Sequence, residues 1–292
     1  MRTRVAHEDR LVITADDFGL SREVNEAVEL GHRRGILTAA SLMVGGAAAE
    51  DAVRRARLMP DLSVGLHLAM VDATPVSPPA EIPRIVGADG RLRSDLASLG
   101  FDLAVSRAAR AQLRREIAAQ FAAFAATGLQ LDHVNAHENY HLHPIVAGVV
   151  IEACHDHGVR ALRVPGEDAR LLRRLEPNRR PPSATLEDAL AAWLRRRAHA
   201  SGLATPDHCF GRRWSGAMDS DRLAALLGAL PSGLVEIYLH PACNDGFTGA
   251  APGYAYGAEL DALLAPRCAE ALHAAGRPAG GYADALPGAR GP

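Results

Sequence analysis

Leu11-Val-Ile-Thr-Ala-Asp-Asp-Phe-Gly-Leu-Ser21 is the stretch on which the fold turns: a short β-branched run, two carboxylates at its end, and a serine placed to cap a helix. Residues 11–15 read as a strand. Residues 21–34 read as an amphipathic helix with Ser21 at its N-cap and Gly35 at its end. The same alternation continues downstream, with strands expected at 38–44 and 62–68 around a helix at 47–58. Short links between βα units point to a parallel sheet able to close into a barrel. Leu113, Ile117, Phe121 and Phe124 mark one face of a long helix that ends at Gly128. Further strands are expected at 129–134, 161–164 and 234–239, with a helix starting at Pro144 and a final one over 258–275.

Two stretches break this rhythm. Residues 70–100 carry Pro75, Pro78, Pro79, Pro83, Gly87, Gly90 and Gly100, loop chemistry of a length often used for lids. The Arg-rich stretch 168–180, Pro181, Pro182 and a helix near 185–200 read as an insertion or peripheral cover, to which no chemistry is assigned.

With 292 residues, 48% hydrophobic and 23% charged, the chain can bury a full core. Its 32 basic and 34 acidic residues leave a formal charge of -2, and no basic block suggests nucleic-acid binding. Every one of the basic residues is arginine, which excludes a Schiff-base lysine and a Walker-type phosphate loop. Cys154, Cys209, Cys243 and Cys268 form no C-x-x-C pair, as suits a reducing compartment. Residues 1–10 offer no apolar signal-peptide core, and no run approaches the roughly 18 apolar residues of a membrane span. A cytoplasmic protein is expected, one that can still visit the inner face of a membrane.

The polar groups fall where a parallel α/β fold concentrates its chemistry. Asp16 and Asp17 follow the first strand, His67 ends the third, and Arg163 and His240 sit at later strand ends. The carboxyl ends of such strands converge on one crevice. Adjacent carboxylates there can divide labour, one binding a cation and the other taking a proton; the plainer reading is a helix N-cap beside a surface charge. His67 alone, inside an apolar strand, reads equally as a hydrogen-bonded core residue. His133-Val-Asn-Ala-His-Glu-Asn-Tyr-His-Leu-His-Pro144 holds four histidines in twelve residues, and imidazole is a common ligand for borderline metals. His133 is expected to face away, and His137, just past the strand end, is the best ligand candidate. His141 and His143 stay open between ligands, groups bonded to ligands, and polar residues at a helix start.

Four segments in order, Thr14 to Ser21, Gly65-Leu-His-Leu68, His137 to Pro144 and Glu236-Ile-Tyr-Leu-His-Pro241, resemble the motifs of the YdjC-like carbohydrate deacetylases. The similarity covers residues 10–285, and the run from Ala119 to His137 is most similar to the hopanoid-biosynthesis-associated members, which act on an N-acetylglucosaminyl group carried by a bacteriohopane lipid. The resemblance implies a distorted (β/α) barrel in one deacetylase domain over 10–285, with insertions at 70–100 and 168–215 and a disordered tail at 286–292. It implies a divalent metal held by Asp17, His67 and His137, with Asp16 as general base and His240 as acid. Arg163-Val-Pro165 looks like an element in which the arginine steadies the catalytic carboxylate. Family members often carry histidine where this chain has Asn139.

The expectation is therefore metal-assisted hydrolysis of an N-acetyl amide. Two histidines and a carboxylate with an open position suit zinc best, and the ligand types also admit Mg, Mn, Co or Ni. Soluble chito-oligosaccharides are the alternative substrate. Competing classes are a non-haem iron oxygenase, whose facial triad uses the same ligands, and a non-enzymatic metal or glycolipid-binding protein. Loops 70–100 and 242–257, with Val76, Ile82, Ile85, Val86, Phe247, Tyr254 and Tyr256, are the candidate lipid contacts. The oligomeric state is left unassigned.

Overall fold

The computed structural model describes residues 9–176 and 185–286. Six strands, β1 (Arg10–Phe18), β2 (Ala39–Leu42), β3 (Ser63–Leu68), β4 (Leu131–Ala136), β5 (His208–Phe210) and β6 (Leu234–Leu239), form one sheet in the order β4-β3-β2-β1-β6-β5. Every pairing is parallel, and the sheet curls into a half-barrel wrapped by helices. Those helices are α1 (Arg22–Arg34), α2 (Ala49–Ala56), α3 (Leu96–Val105), α4 (Arg107–Ala126), α5 (Pro144–Asp156), α6 (Ala169–Leu175), α7 (Leu186–Ala200), α8 (Ser220–Leu227), α9 (Tyr256–Leu264), α10 (Pro266–Ala275) and α11 (Tyr282–Ala285). No helix among the described residues is long and apolar enough to cross a membrane.

The local chemistry explains the boundaries. Ser21 Oγ accepts from Val24 N–H and starts α1. Leu113, Ile117, Phe121 and Phe124 are buried along α4, as their spacing predicts. The expected final helix is in fact two, because Pro266 can occupy a first helical position but cannot continue α9.

The 161–164 segment is not a regular strand. It makes single bridges, Val134 to Leu162 and Ala161 to Ala204, after which Pro165 lacks a donor and Gly166 C=O accepts from Cys209 N–H. These bonds close the open side of the half-barrel irregularly. The 168–215 segment, read as peripheral, supplies β5; its part over 177–184 lies outside the described residues, as does the expected tail except Leu286.

Residues 70–100 form a packed connection. Ile82, Ile85 and Leu92 are buried in the main core. The buried Glu116 carboxylate on α4 accepts from Val76 and Ser77 N–H, each at 2.8 Å, and Gln120 bonds both backbone groups of Ala69. Buried polar side chains satisfied this way hold a loop in one place.

Candidate active site

Where β1 ends, its register with β2 slips: Ala15 pairs with Ala40 but Phe18 with Leu42, one residue more on β1. Asp17 occupies this bulge with φ of 62°, a left-handed conformation that aspartate tolerates better than most residues. Adjacent side chains of a regular strand point to opposite faces. The bulge brings both Asp16 and Asp17 into one cavity of about 580 Å³ at the carboxyl ends of the strands.

The other strands send polar groups inward with a period of two. Ser41 comes from β2, His67 from β3, His133, Asn135 and His137 from along and just past β4, and Glu236, Tyr238 and His240 from β6. Gly65 is required by this layer: a Cβ there would lie 2.4 Å from His133 Nε2.

Asp17, His67 and His137 each place a ligand atom within 4.8 Å of the others. Asp17 Oδ1 is 3.3 Å from His67 Nε2 and 3.1 Å from His137 Nδ1. Burial opposes the charged form of both Asp17 and His137. Their mutual attraction outweighs it, holding the Asp17 carboxyl well below its ordinary range and pushing His137 up to about 9. Two imidazole nitrogens and one carboxylate oxygen converging in a partly enclosed cavity fit a borderline divalent cation with an open position.

Asp16 sits beside this group, buried, with Oδ1 accepting from Asn135 Nδ2 at 3.1 Å and Oδ2 from Arg163 Nη1. Arg163 is buried behind it and reaches Glu236 through Nε at 3.0 Å and Nη2 at 2.7 Å, with the Tyr238 ring 4.4 Å from its guanidinium. Glu236 also accepts from Thr14 Oγ1 and the Tyr282 hydroxyl. Burial alone would raise the Asp16 carboxyl, and Arg163 more than reverses it, holding the group ionised.

His240 follows β6. Its ring is held edge-on by Tyr238 at 5.8 Å and Tyr254 at 5.4 Å, and its backbone N–H donates to Glu259, whose carboxylate also lies 4.0 Å from Nδ1. Burial pushes the Glu259 carboxyl up.

The structure corrects one expectation about the histidines and decides two that the sequence left open. His133 does not face away: it shares the inward face of β4, buried one layer below the site, with Nε2 3.1 Å from Ser41 Oγ. His141 belongs to the scaffold, its Nε2 2.9 Å from the Arg163 carbonyl, and burial lowers its pKa to about 4. His143 stacks on Tyr140 with ring centroids 6.0 Å apart, outside the three-ligand group. The 168–215 segment, given no chemistry, contributes Arg212 and Ser215 to the cavity wall. Asn135, Tyr238, Glu236 and Glu259 were also missed; alternation along 133–137 and 236–240 is the signal that marks the first three.

A second cavity of about 500 Å³, lined by Tyr140, Leu142, Pro144, Leu186 and Leu190, shares Glu138, Asn139 and Arg212 with the first. It forms an apolar groove opening from the polar site.

The fold is thus a parallel α/β half-barrel with a candidate two-histidine, one-carboxylate metal centre at the carboxyl ends of its strands. The sequence profile of the YdjC-like protein family matches residues 10–274, and the chain belongs to that family. A carbohydrate deacetylase of Brevibacillus brevis is 36% identical over 150 residues, 51% of this chain and 57% of the relative, so the match spans little more than half of that protein. One from Thermoanaerobacter pseudethanolicus is 26% identical over 235 residues, 80% of this chain and 82% of the relative. A crystal structure from Enterococcus faecalis V583, described as a candidate cellobiose-phosphate cleavage protein, superposes with a TM-score of 0.75 at 22% identity, covering 96% of this chain and 100% of that one. That likeness shows a shared fold.

Proposed function

We propose that this chain is a metal-dependent carbohydrate deacetylase that removes the N-acetyl group from an N-acetylglucosaminyl sugar carried on a bacteriohopane-type lipid. The carrying observation is the convergence of Asp17, His67 and His137 on one point beside Asp16, with His240 across the same cavity. The family membership and the names of the relatives support the same activity.

A divalent cation held by the three ligands would polarise the acetyl carbonyl and make a bound water more acidic. Asp16 accepts the proton of the attacking water. Arg163 guarantees that Asp16 is ionised when substrate arrives, and it also makes Asp16 a weak base, so the proton is held briefly. His240 donates a proton to the departing amine, without which an amide anion would have to leave. Arg91, Arg212, Ser215 and Asp72 offer charged and hydroxyl groups along the cavity wall to a sugar.

The lipid part of the reading is supported by the apolar groove at Leu142, Leu186 and Leu190. Beside it, α3 is tied to the groove by Tyr140 Oη donating to the Leu96 carbonyl, and it turns Phe101 and Val105 to solvent, 67% and 63% exposed. An apolar helix face next to an apolar groove suits peripheral contact with a membrane. The expected lipid contacts at Ile82, Ile85 and Tyr256 are withdrawn, since all three are buried in the core.

The test is to follow loss of one acetyl group by mass from N-acetylglucosaminyl bacteriohopanetetrol and, in parallel, from soluble chito-oligosaccharides. A higher kcat/KM on the lipid-linked sugar is expected. The reverse preference would move the substrate to the soluble class, and no loss from either would overturn the deacetylase reading.

A further inference from the structure

We infer that Asn135 is a positioning residue that sets the hydrogen-bond polarity of the whole centre, keeping a hydrogen on His67 Nδ1 so that Nε2, the atom beside Asp17, is the one a cation can take, while anchoring Asp16. The inference rests on the metal-site reading above.

Asp16, paired with Arg163, is a carboxylate and can only accept. The Asn135 atom 3.1 Å from Asp16 Oδ1 must therefore be the amide nitrogen, since a carbonyl there would set two acceptors against each other. The second Nδ2 hydrogen goes to Ser41 Oγ at 2.8 Å. The amide oxygen is then left facing His67 Nδ1 at 2.7 Å, and an oxygen that can only accept requires the hydrogen to sit on Nδ1. With a hydrogen fixed on Nδ1, Nε2 is the ring atom left to ligate a cation, and it lies 3.3 Å from Asp17 Oδ1. Asn135 is buried, so water cannot replace these bonds.

A deeper layer braces Asn135. His133 Nδ1 lies 2.9 Å from Asp132 Oδ2, and Nε2 lies 3.1 Å from Ser41 Oγ, the same hydroxyl that accepts from Asn135. Asp132 in turn accepts from the backbone N–H groups of Tyr282 and Ala283 at the start of α11. Four side chains, Asn135, Ser41, His133 and Asp132, thus link the ligand and the base to the C-terminal helix, and the glycine at 65 makes room for them.

Two substitutions separate the two tasks. Asn135→Leu keeps the bulk and removes all three bonds. Asn135→Asp keeps an acceptor for His67 Nδ1–H but removes the donor to Asp16. Outer partners of a metal-ligating histidine are worth about 10- to 100-fold in metal affinity. Zinc affinity by chelator competition should therefore weaken by about that factor in the Leu variant and be retained in the Asp variant, while both lose turnover.

The decisive readout does not need activity. Long-range proton–nitrogen NMR correlations on metal-free, histidine-labelled protein should show His67 protonated on Nδ1 in the parent chain and in Asn135→Asp, and that signature should be lost in Asn135→Leu. An Nε2–H tautomer in the parent chain would overturn the inference, even if the Leu variant fails to fold. Unchanged zinc affinity in a folded Asn135→Leu protein would overturn it as well. Absence of deacetylation with this tautomer and affinity pattern intact would instead strike the proposed function.

Discussion

Asp16 and Asp17 are consecutive in the chain yet open into the same cavity, Asp16 gripped from behind by Arg163 and Asp17 flanked by His67 and His137. The bulge that makes this possible separates two electrostatic environments by one peptide unit. One carboxylate faces a guanidinium that cannot deprotonate, and the other faces two imidazoles that a cation can take as ligands. Environment, then, is what separates the proton acceptor from the metal ligand in the proposed mechanism.

Asp17→Ala, His67→Ala and His137→Ala should each lower bound metal together with activity, since a three-ligand shell loses one donor. Elemental analysis of the purified variants is the check. Full metal occupancy in all three would reject this ligand set.

Asp16→Asn keeps the shape and removes the proton acceptor. Metal content should persist while kcat falls by about 10²- to 10⁴-fold. A variant with parent-like kcat would place the base elsewhere.

His240→Ala should also keep metal and lose turnover on the amide. Because an activated ester leaves without protonation, much of the rate should return on such a substrate. Equal losses on ester and amide would count against the acid role.

The βα alternation, the long helix at α4 and the convergence of Asp16, Asp17, His67, His137 and His240 were legible because hydrophobic period and strand ends are local signals. What was not legible depends on contacts between distant segments. Nothing around residue 116 announces that its carboxylate will hold Val76 and Ser77, so 70–100 read as an open loop. Arg163 follows two isolated bridges rather than sitting in a strand: its N–H donates to Val134, and three residues on the Gly166 carbonyl accepts from Cys209, beyond α7. His133 was misplaced although a period of two from His137 marks its face, since a run of four histidines draws attention to spacing along the chain rather than parity across the sheet.

Arg163→Met should be strongly destabilising, by about 3–5 kcal/mol, because it leaves Asp16 and Glu236 buried without their cation. Arg163 depresses both carboxyls in the folded state, against the opposing effect of burial. A lowered folded pKa gives stabilisation that is present above the unfolded value, about 4, and lost as pH falls. The gap between parent and variant in urea unfolding should thus be largest near neutral pH and shrink in acid. A gap independent of pH would mean that the arginine acts through packing alone.

The central claim, that three side chains hold a cation required for N-acetyl hydrolysis, is tested most directly by measuring acetate release from an N-acetylglucosaminide before and after metal removal. Chelator-treated protein should release none, and stoichiometric zinc should restore release in the parent chain but not in His137→Ala. Sustained acetate release by demonstrably metal-free protein would contradict the account.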